Sequence, residues 1–94
     1  LQSVDDDIFD DAIDPAQLEL YLAAPGHLMV CAVAEGQVVG QARAVLTRQP
    51  DAPPSLYIDN LGVAEARRRE GIASRLLDEL VAWGRAHGCA QAWV

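Results

Sequence analysis

Residues 61–80 read LGVAEARRREGIASRLLDEL, and this stretch decides the fold of the chain. Together with the LYI run at 56–58, its first three residues have the β-branched and aromatic content of a strand. Three consecutive arginines at 67–69 and a glycine at 71 follow. Apolar residues then recur at helical spacing: Ile72, Leu76, Leu77, Leu80 and Val81. The stretch therefore predicts a strand, a turn rich in arginine and glycine, and a helix.

This turn has the properties of an anion-binding site. A turn between a strand and a helix directs several backbone N–H groups and the positive end of the helix dipole to one place, and phosphate is the usual occupant. Residues 68–73 (RREGIA) fit the pattern R-x-x-G-x-[G/A]. All seven basic residues of the chain are arginine, and four of them surround the glycine: Arg67, Arg68, Arg69 and Arg75. The turn therefore predicts a phosphate-bearing ligand.

Composition narrows the range of functions. The chain has 94 residues, 51% of them hydrophobic, which is enough for one small domain with a core. A net charge of −7 argues against general nucleic-acid binding. No apolar run is long enough to cross a membrane, and the acidic start is unlike a signal peptide. We therefore expect no nucleic-acid partner and no membrane.

The cysteines and histidines indicate neither a disulfide framework nor a metal site. Cys31 and Cys89 form no CxxC pair, and small core residues in a reducing cytoplasm are favoured over a disulfide. His27 and His87 have no metal-ligand partner at a suitable spacing. We therefore expect no metal.

The remaining pattern predicts a mixed α/β sheet. Asp14-Pro15 is typical of a helix start, and this first helix would end before Pro25. Gly40 indicates a bulge or a close backbone approach within a strand. After the first helix we expect an antiparallel hairpin and a third strand, then a crossover helix to a parallel fourth strand: 27–34, 38–48, 55–63, helix 71–87 and 89–94. The fold class is α/β, with a mixed sheet of the α+β type.

The arginine turn, preceded by L-x-V at 61–63 and followed by LLDEL at 76–80, resembles the acetyl-CoA pyrophosphate loop of the GNAT superfamily of N-acetyltransferases. The element order over about residues 28–94 resembles the middle of that family's domain. The resemblance implies the acyl-CoA N-acyltransferase fold and direct transfer of acetyl from acetyl-CoA to a primary amine in a ternary complex. Phe9 among aspartates, APGHLMVCAVAEGQVVG at 24–40 and LYIDNLGV at 56–63 further resemble the aminoglycoside 3-N-acetyltransferase branch.

The resemblance also implies which residues bind the cofactor. Backbone N–H groups of the turn would hold the pyrophosphate, with Arg68 as the motif arginine. Free backbone groups of the strand before it would pair with the pantetheine amides, and one N–H would polarise the thioester carbonyl. The implied residues are Leu61, Gly62, Val63, Arg68, Arg69, Glu70, Gly71, Ile72, Ala73 and Ser74. The alternatives are an ordinary helix start with solvated arginines and a strand that only contributes to the core.

Candidate acceptor residues lie before this turn. Direct transfer needs a neutral amine, so a carboxylate or a water relay must take a proton. Asp59 is the best-placed candidate base, with Tyr57 and Asn60 beside it; alternatively Asp59 caps a bulge or binds substrate. Seven of the fourteen acidic residues lie in the first twenty positions. There Asp7, Phe9 and Asp10 are candidate substrate contacts, unless the segment is a solvated face.

Family members usually have one more strand before the first helix and, at the other end, a helix and hairpin that supply a tyrosine as general acid. Neither part is recognisable in these 94 residues, so we expect a single, partial GNAT domain over residues 1–94, truncated at both ends. Three functions remain: a cytoplasmic N-acetyltransferase acting on a small-molecule amine, a non-catalytic CoA-binding module, and an interaction domain. An unpaired sheet edge near residues 89–94 would also favour a homodimer.

Overall fold

The computed structural model describes residues 3–4, 8–9 and 13–93. In chain order the elements are β1 (Ser3–Val4), α1 (Pro15–Ala23), β2 (His27–Ala34), β3 (Gln37–Thr47), β4 (Ser55–Val63), a 3-10 turn (Glu65–Arg67), α2 (Ile72–Ala86) and β5 (Gln91–Trp93). The predicted mixed α/β fold is confirmed. The expectation that no strand precedes the first helix was wrong, because β1 pairs with the sheet.

One mixed sheet contains all five strands. β3 lies at its centre, antiparallel to β2 on one side and to β4 on the other. α2 carries the chain across the sheet, so β5 returns parallel to β4. β1 pairs in parallel with the first two residues of β3. Because β2 occupies the other edge of β3 there, β1 shares the edge that β4 uses farther along the strand.

The first helix begins where the sequence predicts. Asp14 Oδ1 accepts hydrogen bonds from the backbone N–H groups of Ala16 (2.9 Å) and Gln17 (3.3 Å). Pro15 occupies the first helical position, where its missing N–H costs nothing. The N-terminal cap therefore comes from local sequence alone.

The core lies between α2 and the sheet. Leu76 and Leu80 of α2 are buried against Ala42 and Ala44 of β3 and Leu56 of β4. Small residues let the two layers approach closely. A Cβ atom on Gly40 would lie 3.1 Å from Ile72 Cγ2, and one on Gly84 would lie 3.1 Å from a Leu56 methyl group.

Of the two explanations offered for a glycine at position 40, the bulge is confirmed, whereas the close approach is made by side chains of α2 rather than by another backbone. A register shift between Ala32 and Val33 of β2 places a bulge beside Gly40, because Ala32 pairs with Gly40 and Val33 pairs with Val38.

A second register shift lies in β4. Arg43 pairs with Asn60 while Ala44 pairs with Ile58, so Asp59 is the extra residue of a β-bulge. Cross-strand partners share a face of the sheet. The bulge therefore places Asn60, and Gly62 after it, on the face opposite α2.

Two further findings concern predictions from composition. Cys31 is exposed and Cys89 is half-buried, so the prediction that both are core residues was wrong for Cys31; both are free thiols. Cys31 lies in β2, whose side chains alternate between the two faces of the sheet. In the described part of the chain, no helix is long and apolar enough to cross a membrane.

We expect Leu56→Ala to lower the free energy of unfolding by roughly 2–5 kcal/mol, because it leaves a cavity between α2 and the sheet. Leu56 is fully buried, whereas Leu20 of α1 is 65% exposed. Leu20→Ala is therefore the matched control, with an expected change of less than about 0.5 kcal/mol. Urea unfolding measures both, and equal losses would contradict this account of the core.

Candidate cofactor and acceptor site

The turn between β4 and α2 has an unusual backbone. Arg69 has φ 71° and Gly71 has φ 80°, both in the left-handed region. Glycine adopts this conformation freely, whereas an arginine does so at a cost in energy. Left-handed residues within a turn help successive N–H groups to form a concavity that binds anions. The turn that sequence analysis singled out therefore has a backbone suited to a phosphate group.

The donors of this turn fit an anionic ligand. Among the described residues, no side chain caps the N-terminus of α2, and the Arg75 N–H makes the bond to Gly71 O (3.2 Å). The N–H groups of residues 72–74 precede that bond and have no partner within the helix. A Cβ atom on Gly71 would meet nothing within 4 Å. Open space, amide donors and nearby guanidinium groups together match the chemistry of a pyrophosphate.

Three arginines stabilise the turn itself. The Arg67 guanidinium lies 3.5 Å from Glu35 in the β2–β3 turn and 3.8 Å from Glu70. Arg75 Nη2 donates to the carbonyl oxygen of Glu70 (3.2 Å). Arg68 Nε donates to the carbonyl oxygen of Val63 (3.4 Å), the last residue of β4. Arg68 is exposed and lies on the turn, so its positive charge remains beside the amide donors.

The strand before the turn offers backbone groups along one edge. β5 pairs with β4 only from Ser55 to Tyr57. In the part of the chain that the structure describes, residues 59–63 have β3 on one side and no strand on the other. Leu61 is 42% exposed there. This is the edge at which residues 61–63 are predicted to pair with an extended ligand.

The face of the sheet opposite α2 carries the candidate acceptor residues. Asn60 lies on this face beside Gln41 and Arg43. Tyr57 lies there too, as the partner of Val45, but it is 44% exposed and its ring packs edge-to-face on Trp93, with centroids 6.2 Å apart. Asp59 is exposed at the bulge between Tyr57 and Asn60. The three candidates are therefore close in sequence but differ in exposure and in contacts.

Sequence analysis did not single out Tyr21 of α1. Its hydroxyl donates to the Leu28 carbonyl oxygen (3.1 Å), which fixes α1 against β2. Burial raises the pKa of the Tyr21 phenol above its ordinary value; Asp59 and Cys31 raise it further, while Arg43 opposes them. The phenol stays protonated at neutral pH and remains a donor.

Gln41 is the second residue that sequence analysis missed. It is fully buried, and its Nε2 donates to the Ile8 carbonyl oxygen (3.0 Å) and to Asn60 Oδ1 (2.7 Å). Phe9 is half-buried beside Ile8, against a small cluster that includes Val39. The predicted contacts Asp7 and Asp10 lie outside the described residues. The sequence did contain a signal for Gln41, because a polar residue in the middle of a mostly apolar strand is unusual.

Among the described residues, no three His, Cys, Asp or Glu side chains gather in a position to hold a metal ion. The groups that the candidate site offers are the amide donors and arginines of the turn and the polar side chains of the opposite face.

Comparison with known proteins identifies the family to which this chain belongs. Residues 2–94 match the model of the acetyltransferase (GNAT) family. The chain belongs to this family, as the arginine turn and the order of elements had indicated. No curated protein matches the chain significantly.

Solved structures give the same fold. An aminoglycoside acetyltransferase from an uncultured soil metagenomic sample is 28% identical, with a TM-score of 0.78 over 87% of this chain and 55% of that one. The aminoglycoside N-acetyltransferase AAC(6′)-Iy in complex with CoA is 26% identical, with a TM-score of 0.74 over 83% of this chain and 54% of that one. A second soil metagenomic aminoglycoside acetyltransferase, in complex with sisomicin, is 22% identical, with a TM-score of 0.79 over 87% and 55%. The chain thus spans about half the length of these structures.

We expect Gly71→Ala to raise the Kd for acetyl-CoA at least about tenfold, because the new side chain stands where the phosphate approaches and disfavours the left-handed backbone. Gly88→Ala is the matched control. Gly88 ends the same helix with φ 84°, and a Cβ atom there also meets nothing within 4 Å. Both variants should lose roughly 1–2 kcal/mol of stability, but only Gly71→Ala should lose affinity. Calorimetric titration measures Kd, and equal losses of affinity would contradict the assignment.

Proposed function

We propose that this protein is an acetyl-CoA-dependent N-acetyltransferase of the cytoplasm, acting on a primary amine of a small molecule, with aminoglycosides as the leading class of acceptor. The observation that carries the proposal is the uncapped, arginine-rich N-terminus of α2 at the end of β4, in a chain that belongs to the acetyltransferase family. The CoA complex of a neighbour that is 26% identical supports the choice of cofactor.

The proposed class of acceptor is supported by the activities of structural neighbours and by the negative charge of the chain. Two structural neighbours above 25% identity are aminoglycoside acetyltransferases. Aminoglycosides are polycations, and half of this chain's fourteen acidic residues lie within its first twenty positions. Negative charge on a protein attracts a cationic acceptor and raises its rate of encounter. The sequence resemblance predicts acetylation of the aminoglycoside at its 3-amino group, whereas the name of the neighbour AAC(6′)-Iy indicates the 6′-amino group. NMR of the acetylated product distinguishes the two positions.

The roles of the chain's own groups follow from their chemistry. Bound acetyl-CoA supplies an acetyl thioester, whose carbonyl carbon bonds to the amine nitrogen as the C–S bond breaks, with one proton lost from the amine and one gained by the thiolate. The N–H groups of residues 72–74 and Arg68 bind the pyrophosphate. The free edge of β4 at residues 61–63 orients the pantetheine arm, and one N–H of this edge polarises the thioester carbonyl.

Asp59 is the proposed base. It is exposed at a bulge, two residues before the edge proposed to hold the thioester. Bulges re-aim side chains and are common beside active sites. Asn60 is less suited to a direct role, because its Oδ1 already accepts a hydrogen bond from Gln41. Tyr57 is proposed as a contact for the acceptor, together with its packing partner Trp93.

The first test is binding and turnover in the full-length protein. Acetyl-CoA at a hundredfold excess over its Kd should stabilise the fold by about 2.7 kcal/mol and raise Tm by several degrees. Acetylation of sisomicin and of other amines, followed by thiol release, then tests the reaction. Binding without acetylation of any amine would instead indicate a non-catalytic CoA-binding module. The absence of both would refute the proposed function.

The base is tested with Asp59→Asn. We expect kcat to fall about a hundredfold or more at neutral pH, because an amide takes no proton. Asp51→Asn, in the loop between β3 and β4, removes another exposed carboxylate and should leave kcat unchanged. A wild-type kcat in Asp59→Asn would transfer the role to a water relay.

A further inference from the structure

The face of the sheet opposite α2 contains two buried polar atoms that have no hydrogen-bond partner in the described part of the chain. They are Gln41 Oε1 and Arg43 Nε, both in the central strand β3. Gln41 is fully buried and Arg43 is half-buried. A buried carbonyl oxygen or guanidinium N–H without a hydrogen bond costs free energy, and the charged group costs more. Two such atoms on one face indicate that a group from outside the chain completes their hydrogen bonds.

The orientation of the Gln41 amide follows from its neighbours. Its Nε2 donates to the Ile8 carbonyl oxygen (3.0 Å) and to Asn60 Oδ1 (2.7 Å). A backbone carbonyl oxygen only accepts, so the reversed amide would place two oxygens against each other. Oε1 is therefore the atom that remains, and it offers a free acceptor.

The register of the sheet places the two free atoms in one neighbourhood. Gln41 and Arg43 are two positions apart in β3, so their side chains leave the same face of the strand, about 7 Å apart at Cα. Arg43 pairs with Asn60, and cross-strand partners hold their Cβ atoms about 5 Å apart. The Gln41 amide contacts the same Asn60 side chain. Both side chains therefore adjoin Asn60, next to the bulge at Asp59.

Arg43 also has no described partner for its charge. The ion pairs among the described residues are those of Arg67 with Glu35 and Glu70, so no described carboxylate lies within ion-pair distance of Arg43. Arg43 is the one charged residue of β3. A cationic amine is repelled by a guanidinium group, so the amine of the acceptor is not the missing partner.

A hydroxyl group satisfies both free atoms at once. Gln41 Oε1 needs a donor, and Arg43 Nε needs an acceptor. A carboxylate would accept from Arg43 but would face the lone pairs of Gln41 Oε1, whereas an ammonium would donate to Gln41 but meet the guanidinium charge. A hydroxyl oxygen donates one hydrogen bond and accepts another. Because both atoms are closed to bulk solvent, the occupant is a single small group, and the half-buried Arg43 side chain is the part that can move to admit it.

We propose that Gln41 and Arg43 form a binding site for one O–H group, supplied in the working enzyme by a hydroxyl of the acceptor on the carbon next to the acetylated amine. This inference rests on the proposed function. The neighbouring carbon follows from the position of the site beside Asp59, the proposed base. An ordered water is the other source of the same chemistry, and a substrate hydroxyl that displaces it reproduces its hydrogen bonds. The preferred acceptors are therefore vicinal amino alcohols.

Kinetics of the full-length protein with two matched amines test the source of the group. The amines are cyclohexylamine and trans-2-aminocyclohexanol, which carries one additional hydroxyl group on the carbon next to the amine. We expect kcat/KM to be about tenfold higher for the amino alcohol, because a site that hydrogen-bonds a hydroxyl rejects the analogue without it.

Variants of the two residues test whether this preference arises at the site. Arg43→Lys keeps the positive charge but has no donor at the position of Nε, and it should reduce the ratio of the two kcat/KM values to about twofold. Gln41→Met removes the acceptor Oε1 and should reduce the ratio as well. Arg48→Lys, just after β3 and exposed, is the matched control and should keep the wild-type ratio.

A crystal structure of the full-length protein without acceptor tests the site independently of catalysis. We expect an oxygen within about 3.2 Å of both Gln41 Oε1 and Arg43 Nε. A hydroxyl preference that Arg43→Lys abolishes assigns the group to the acceptor. Equal rates for the two amines with an oxygen at the site assign it to an ordered water and overturn the role in the choice of acceptor.

Two results overturn the inference as a whole: equal rates together with an empty site, and a hydroxyl preference that survives in Arg43→Lys. If the wild-type protein acetylates no amine at all, the proposed function fails, whereas the crystal structure still decides whether the O–H site exists.

Discussion

The close packing of α2 on the central strands is the contact on which the rest of the structure depends. Leu76 and Leu80 are buried against the alanines of β3 and Leu56 of β4, and Gly40 and Gly84 let the layers approach. This contact fixes the N-terminus of α2 at the end of β4, where no described side chain caps the helix and the space beside the Cα atom of Gly71 is open. An anion site formed by a helix end is only as well placed as the helix itself, so here the core determines the geometry of the candidate cofactor site.

The two faces of the sheet differ in composition and in what they contact. The face toward α2 forms the core and ends at the arginine turn. The opposite face carries Gln41, Arg43 and Asn60, an unusual amount of polarity for a central strand and its neighbour. Burial of such groups is costly unless their hydrogen bonds are made. Gln41 Nε2 donates to Ile8 and Asn60, but Gln41 Oε1 and Arg43 Nε are buried without a hydrogen-bond partner among the described residues. Polarity retained at this cost is typical of a functional surface rather than of a structural one.

The bulge at Asp59 determines which residues of β4 lie on each face of the sheet. Without the extra residue, the alternation of β4 would place Asn60 and Gly62 on the α2 side, where the core leaves no use for an amide. With it, β4 is apolar toward α2 on both sides of the bulge. The sequence offered a bulge as one interpretation of Asp59 but could not locate it, because a register shift is defined only by the partner strand. The same limit applied to Tyr21, whose hydrogen bond to the Leu28 carbonyl oxygen arises from the packing of α1 on β2.

The sequence by itself determined both helices, strands β2 to β5 and the arginine turn between β4 and α2. Asp14 and Pro15 start α1, and Gly71 ends the turn before α2. Apolar residues that recur about every 3.6 residues define α2 itself. Each of these signals acts within a few residues, so each can be recognised in the local sequence. The pairing of β1 with β3, the exposure of Cys31 and the contact of Gln41 with Ile8 were decided by the tertiary structure alone. The last of these joins residues 33 positions apart, and such contacts depend on how strands align and layers pack, which no local pattern specifies.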